Sequence, residues 1–293
     1  MSQLPDERTP PSLREEIFQR IRQGVSLSES GHFTEAIHDA LRPALRLAEE
    51  LDRRTEGEYS YLRPCLRALL AGNHAQLGDF KAAANALSAT LIENSSKQGC
   101  SCGAHWARAY YGIKSEDADI GEFANNRRGA EKALGATHPL FLMLDAEFAL
   151  SQENTNRALA MVDEALLGAA DRADTCPKVL PELMPTRSHL FCVGVRAAVS
   201  DPVRAAGYLS SWQQSLRERR DSGKVTGAEE NRFLRAKAAL ADARGQRRKA
   251  LRLLTKAWEY VSEFDPDALD RRETEQCIGA IADQITDRAS SLR

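Results

Sequence analysis

The chain has 293 residues, is 42% hydrophobic and 28% charged, and carries a formal net charge of -2. That length admits two compact domains or one elongated array, and the near-neutral balance supplies no global basic face for nucleic acid. No stretch approaches the roughly 20 consecutive apolar residues that span a bilayer, so no membrane association and a cytoplasmic location are expected. Six dilute cysteines (Cys65, Cys100, Cys102, Cys176, Cys192, Cys277) argue for reduced thiols rather than a disulfide scaffold.

Residues 1–11 contain Pro5, Pro10 and Pro11 and no apolar run, and read as a flexible arm rather than a signal peptide. Helical patterning then starts. Ser12 and Glu15 have the spacing of a capping box, and Ile17, Phe18, Ile21 and Val25 recur at helical intervals. Gly31 is placed to end this helix in a left-handed conformation, and Thr34 to cap the next. Ala36, Ile37, Ala40, Leu41, Ala44 and Leu45 form one apolar face of that second helix, which Pro43 should bend by removing a backbone donor.

The punctuation recurs. Gly31-His32-Phe33, Gly78-Asp79-Phe80 and Gly121-Glu122-Phe123 each lie between two apolar-periodic stretches, as the turns of helix hairpins would. Weaker copies follow: a hairpin across about 138–168, in which Glu153-Asn154-Thr155 stands where the glycine and aromatic should be, then turns at Ser200–Ala206 and Gly245–Leu251. Asp52–Tyr59, Asn94–Gly103, Asp171–Pro185 and Arg219–Ala228 read as long connections. Residues 266–293 read as a closing helix, with Leu269, Cys277, Ile278, Ile281 and Ile285 inward and Arg271, Arg272, Glu273 and Asp287 outward.

Gly31-His32-Phe33-Thr34-Glu35-Ala36-Ile37 resembles the hairpin turn of the tetratricopeptide family: glycine, polar, aromatic, two polar residues, alanine, aliphatic. Gly78-Asp79-Phe80-Lys81-Ala82-Ala83-Ala84 is similar, and Gly24, Ala71 and Ala238 fall where the family places a small residue. Leu134–Pro139 looks like an inter-repeat joint of the kinesin-light-chain-type branch. The third copy departs, with Asn126 for the small alanine, and turn spacing is uneven. The resemblance implies an all-α fold: a right-handed α-solenoid of about six antiparallel hairpins over residues 12–265, closed by a capping helix. It also implies that first helices line a concave face, which places Arg108, Tyr111, Met143, Glu147, Arg187, Leu190, Arg232 and Arg235 toward a partner, with Phe18, Ile21 and Val25 beside them. Another protein or peptide carrying acidic groups is the partner expected, because guanidinium forks hold carboxylates in two-point geometry.

Catalytic signatures are missing from the sequence: no Gly-x-Ser-x-Gly elbow, phosphate-binding loop, dinucleotide fingerprint or His-Glu-x-x-His occurs. A non-enzymatic scaffold without cofactor is therefore expected. Cys100, Cys102 and His105 form the one candidate metal cluster, with Cys65 or His74 as a remote fourth ligand, although Cys-x-Cys is not the usual zinc spacing. A plain loop with free thiols competes with it. His189 and Cys192, three apart among apolar neighbours, read as packed, as do Trp106, Trp212 and Trp258. Glu116, Asp117 and Asp119, and the basic run Arg244 to Arg252, read as solvated faces. Two alternative functions remain open: peptide sensing through a change of curvature, and zinc- or thiol-dependent chemistry at Cys100, Cys102 and His105.

Overall fold

A computed structural model describes residues 10–93, 101–115, 119–172, 186–220 and 225–290, and every regular element in them is helical. Helix α1 (Pro10–Glu29) is followed by a continuous second rod: α2 (Phe33–Glu35), a π-helical segment (Ala36–Leu41) and α3 (Arg42–Arg54). Then come α4 (Leu62–Gln76), α5 (Phe80–Glu93), α6 (Ser101–Lys114), α7 (Ile120–Leu134), α8 (Pro139–Ser151) and α9 (Thr155–Arg172). The chain ends with α10 (Thr186–Ala197), α11 (Pro202–Arg220), α12 (Gly227–Ala243), α13 (Arg247–Glu259) and α14 (Leu269–Ser290). Sequence neighbours pack as pairs, α4 on α5, α6 on α7, α8 on α9 and α12 on α13, and the odd partner α10 sits between α9 and α11.

The glycine punctuation works as the residues predict at three turns. Gly31, Gly78 and Gly245 have φ of 82°, 77° and 70°, the left-handed region in which a Cβ is costly. At the degenerate turn Glu153 takes φ 57° without being glycine. Gly121 does something else. It lies in the first turn of α7, whose N-cap is Asp119, accepting from the Gly121 and Glu122 amides at 2.7 and 3.1 Å. Asp79 and Asp201 cap α5 and α11 in the same way. Ser12 is not a cap, because α1 already begins at Pro10. Residues 1–9 of the expected arm, and most of the long connections after residues 93, 172 and 220, lie outside the described residues.

Pro43 does not interrupt the second rod. The π-helical turn before it shifts the hydrogen bonding, so that the Arg42 amide reaches Ile37 O. The Asp39 carbonyl, which a residue with an N–H at position 43 would have used, accepts instead from Arg20 Nη1 at 3.2 Å. Close helix approach explains Gly24: a Cβ there would lie 2.7 Å from Leu41 Cδ2. Ala71 and Ala238 are buried at equivalent places.

The core is a succession of apolar clusters along the stack. Leu13, Ile17, Ile37, Leu41 and Leu66 form the first, and Trp106, Phe141, Met143 and Leu190 belong to the second. Phe191, Trp212 and Phe233 lie in the third; Ala238, Leu254 and Ile281 form the last. Trp258, expected in the core, is only half-buried, beneath the Arg271 guanidinium. Cys277, expected inward, is exposed.

Helix α14 departs furthest from expectation. Arg272 is exposed as expected and Arg271 and Glu273 are half-buried, while the side chain of Asp287 lies outside the described residues; what was not expected is that this region also packs against the first two hairpin turns. The Asp265 amide donates to Gly31 O at 2.9 Å, and its carboxylate accepts from the Thr34 amide at 2.7 Å. Thr34 is thus not the cap of the second rod; a residue 231 positions away caps it. Phe264 packs edge-on against Phe33 with ring centroids 5.8 Å apart, and Arg272 donates to Leu77 O at 3.1 Å.

The Glu153 backbone yields a stability prediction. A left-handed L-residue costs about 1–2 kcal/mol, partly offset by about 0.4–1 kcal/mol from the greater unfolded-state entropy of glycine. Glu153→Gly should therefore raise stability by about 0.5–1 kcal/mol in a denaturant titration; an unchanged or lower midpoint contradicts this account of the turn.

Candidate binding site

The inner side of the stack is formed by α4, α6, α8, α10, α12 and α14; ionisable side chains from the last five meet there, and α4 adds the Gln76 amide. Helix α8 is the source of the arrangement. It is apolar almost throughout, Pro139 to Ser151, yet carries Asp145 and Glu147, both buried. A buried carboxylate needs partners, since desolvation otherwise costs several kcal/mol. Asp145 is held two-point by Arg127 of α7, with both N···O distances 2.6 Å. Glu147, 2% exposed, faces the interior.

Glu147 accepts from Lys114 Nζ at 2.7 Å and from Arg196 Nη1 at 3.0 and 3.1 Å, and its Oε1 lies 3.2 Å from His189 Nε2. Tyr110 Oη stands 3.4 Å from the same imidazole nitrogen. Burial pushes the Glu147 pKa upward, but the charges of Lys114 and Arg196 and the His189 contact outweigh it, leaving the group well below the usual carboxylate range. Burial also depresses His189, against the pull of Glu147, and raises the Tyr110 phenol. His189 Nδ1 is buried without a hydrogen-bond partner, which fits a neutral ring donating from Nε2.

A second cluster joins α12, α14 and α4. Arg232 Nε donates to Asp270 Oδ1 at 2.9 Å, while its Nη2 lies 2.8 Å from Asp270 Oδ2 and 3.2 Å from Gln76 Oε1. Arg235 donates to Asp270 Oδ1 at 3.1 Å and pairs with Glu273. The charge of Arg232 acts on Tyr110, His189 and Cys192, so the two clusters share one electrostatic space. Across them, among the described residues, four cations (Lys114, Arg196, Arg232, Arg235) face three carboxylates (Glu147, Asp270, Glu273), one positive charge more than negative.

Of the residues that the sequence places on a concave face, Glu147, Arg232 and Arg235 belong to this interior. The others do not. Tyr111, Met143 and Leu190 are packed core at 2%, 1% and 0% exposure and reach no partner without unpacking. Helix α6 is turned so that Tyr110, read as core, reaches His189, while Tyr111 lies against Phe80. Arg108 pairs with Glu122 and lines a separate cleft of about 130 Å³ with Lys81, Asn85 and Asn126. Arg187 is exposed beside the Phe191 ring.

Sequence reasoning misses Lys114, His189, Cys192, Arg196, Asp270 and Gln76 as interior groups. Two signals point there: His189, Cys192 and Arg196 fall on one face of α10, and two carboxylates sit in the otherwise apolar α8. The candidate metal cluster is not assembled as a loop. Cys100 lies outside the described residues, α6 begins at Ser101, and His105 packs on Gly129 with its Nδ1 3.4 Å from Asn126 Oδ1. No helix among the described residues is long and apolar enough to cross a membrane. Comparison with family models, with curated proteins and with solved structures returned no match.

Between its depressed folded pKa and its ordinary value of 6.5, His189 is protonated in the unfolded chain but not in the folded one. Stability is therefore full above about pH 6.5 and falls as the pH drops below it. Thermal unfolding followed from pH 8 to 5 should show this decline, and His189→Gln, which cannot protonate, should flatten it. A profile identical to that of the wild type would remove His189 as its source.

Proposed function

We propose that the chain is a non-enzymatic binding module: a tetratricopeptide-like, right-handed solenoid of about six hairpins that takes an acidic protein or peptide group into its interior. The observation that carries this reading is the state of Arg196. Its side chain keeps 48% of its surface accessible, and only Nη1 is engaged, on Glu147. The Nε–Nη2 edge is left for a carboxylate, which an arginine holds by two parallel charge-assisted bonds. The excess positive charge of the interior supports the same sign of ligand. A buried, fully matched ionic core would need no such edge.

Acidic peptides of varied sequence, fluorescently tagged and titrated by polarisation, test the proposal. Arg196→Ala should weaken the tightest of them about tenfold or more, equivalent to about 1.4 kcal/mol, whereas Arg187→Ala should leave affinity unchanged. Raising ionic strength should weaken binding as well. Equal affinity for wild type and Arg196→Ala, or failure of every acidic peptide to bind, contradicts the reading.

A further inference from the structure

Among the described residues, the span 264–272 meets the first part of the chain at two hairpin turns. At the first turn, Phe264 covers Gly31, where a Cβ would meet its ring at 2.2 Å, and Asp265 makes both backbone ties to Gly31 and Thr34. At the second, Arg272 binds Leu77 O and lies over Gly78. Arg271 Nη1 holds the Phe264 carbonyl at 2.7 Å, fixing the span itself. Most of these ties are polar bonds with part-exposed groups, unlike the apolar packing between neighbouring hairpins. Such an interface opens more easily than a core.

Arg232 connects this seam with the interior. Its guanidinium bridges Asp270, at the start of α14, and Gln76, at the end of α4, across 156 positions of sequence. Its charge also reaches His189 and Tyr110 of the Glu147 cluster.

We infer that residues 264–272 form a latch that gates the interior of the stack, with Arg232 coupling the latch to whatever occupies that interior. The inference rests on the interior being the binding surface. An acidic group arriving near Arg196 competes with Asp270 for Arg232 and so loosens the tie to Gln76. Closure then follows the occupancy of the interior, and the latch sets how readily a ligand enters. Coupling of this kind needs an element with two arrangements that the ligand distinguishes; the structure shows the seam closed, and the proposed second arrangement is the same seam open.

The ligand-free protein allows a direct test. Cys192 lies on the inner face of α10, half-buried, within the field of Arg196 and Arg232, and its alkylation reports access to the interior. Peptide-resolved mass spectrometry isolates it from the other thiols. In Asp265→Ala/Arg272→Ala, amide exchange should rise together at residues 31–36 and 76–80 while α8 and α10 stay protected. Cys192 alkylation should accelerate about tenfold or more, since modification follows the population of the open form. Asp265→Asn in place of Asp265→Ala, with Arg272 retained, keeps an acceptor for the Thr34 amide and should behave as wild type. Unchanged exchange at the two turns overturns the latch, as does loss of protection throughout α8 and α10, which would make closure inseparable from the fold. Opened turns with unchanged Cys192 alkylation overturn the gate. Neither readout involves a peptide, so failure of the acidic-group reading and failure of the latch are seen in different experiments.

Discussion

Glu147 is the constraint around which the interior is organised. It is a carboxylate in a helix whose other residues, Asp145 apart, are almost wholly apolar, and it has lost its water. Lys114, His189 and Arg196 replace that water from the two flanking inner helices. Removing such a partner strands a charge and costs about 3–5 kcal/mol, while an apolar replacement of the whole set is often neutral. The network therefore defines the register of α6, α8 and α10 against one another more than it adds stability. Apolar packing of Trp106, Trp212 and the leucines provides the stability.

The same logic operates at the other end of the inner face. Asp270 lies at the start of α14, buried between Arg232 and Arg235. Asn231 reinforces the position by donating to Ala257 O and Thr274 Oγ1, so α12, α13 and α14 are joined through one buried amide. Once α14 is fixed there, residues 264–272 meet the first two hairpin turns. A helix that would merely cover the last apolar face of a stack becomes the piece that joins its two ends.

Much of the fold is legible from local rules. Left-handed glycines at positions 31, 78 and 245, aspartate caps, and small residues where helices touch are short-range requirements, and the pairing of neighbouring helices follows from them. What was not legible depends on long-range geometry. The Thr34 amide is capped from position 265, the Asp39 carbonyl is satisfied by Arg20, and Gly121 belongs to a helix start because Asp119 caps it two residues earlier. The candidate site was legible only in part, because its mapping assumed a regular array with an open concave face. Tyr110 reaches His189, whereas Tyr111 packs against Phe80, the reverse of the mapped roles. Met143 and Leu190 are packed, while Arg196, one turn beyond Cys192, stays accessible.

The two interior charge clusters lie beside a seam of polar ties at residues 264–272. That seam joins the first two hairpin turns to the start of α14. That joining is most directly measured as a distance. Non-cysteine spin labels at the exposed positions 35 and 267, read by pulsed dipolar spectroscopy, should give a single short and narrow distance in the ligand-free protein. A broad distribution extending to the length of an open stack would contradict the account.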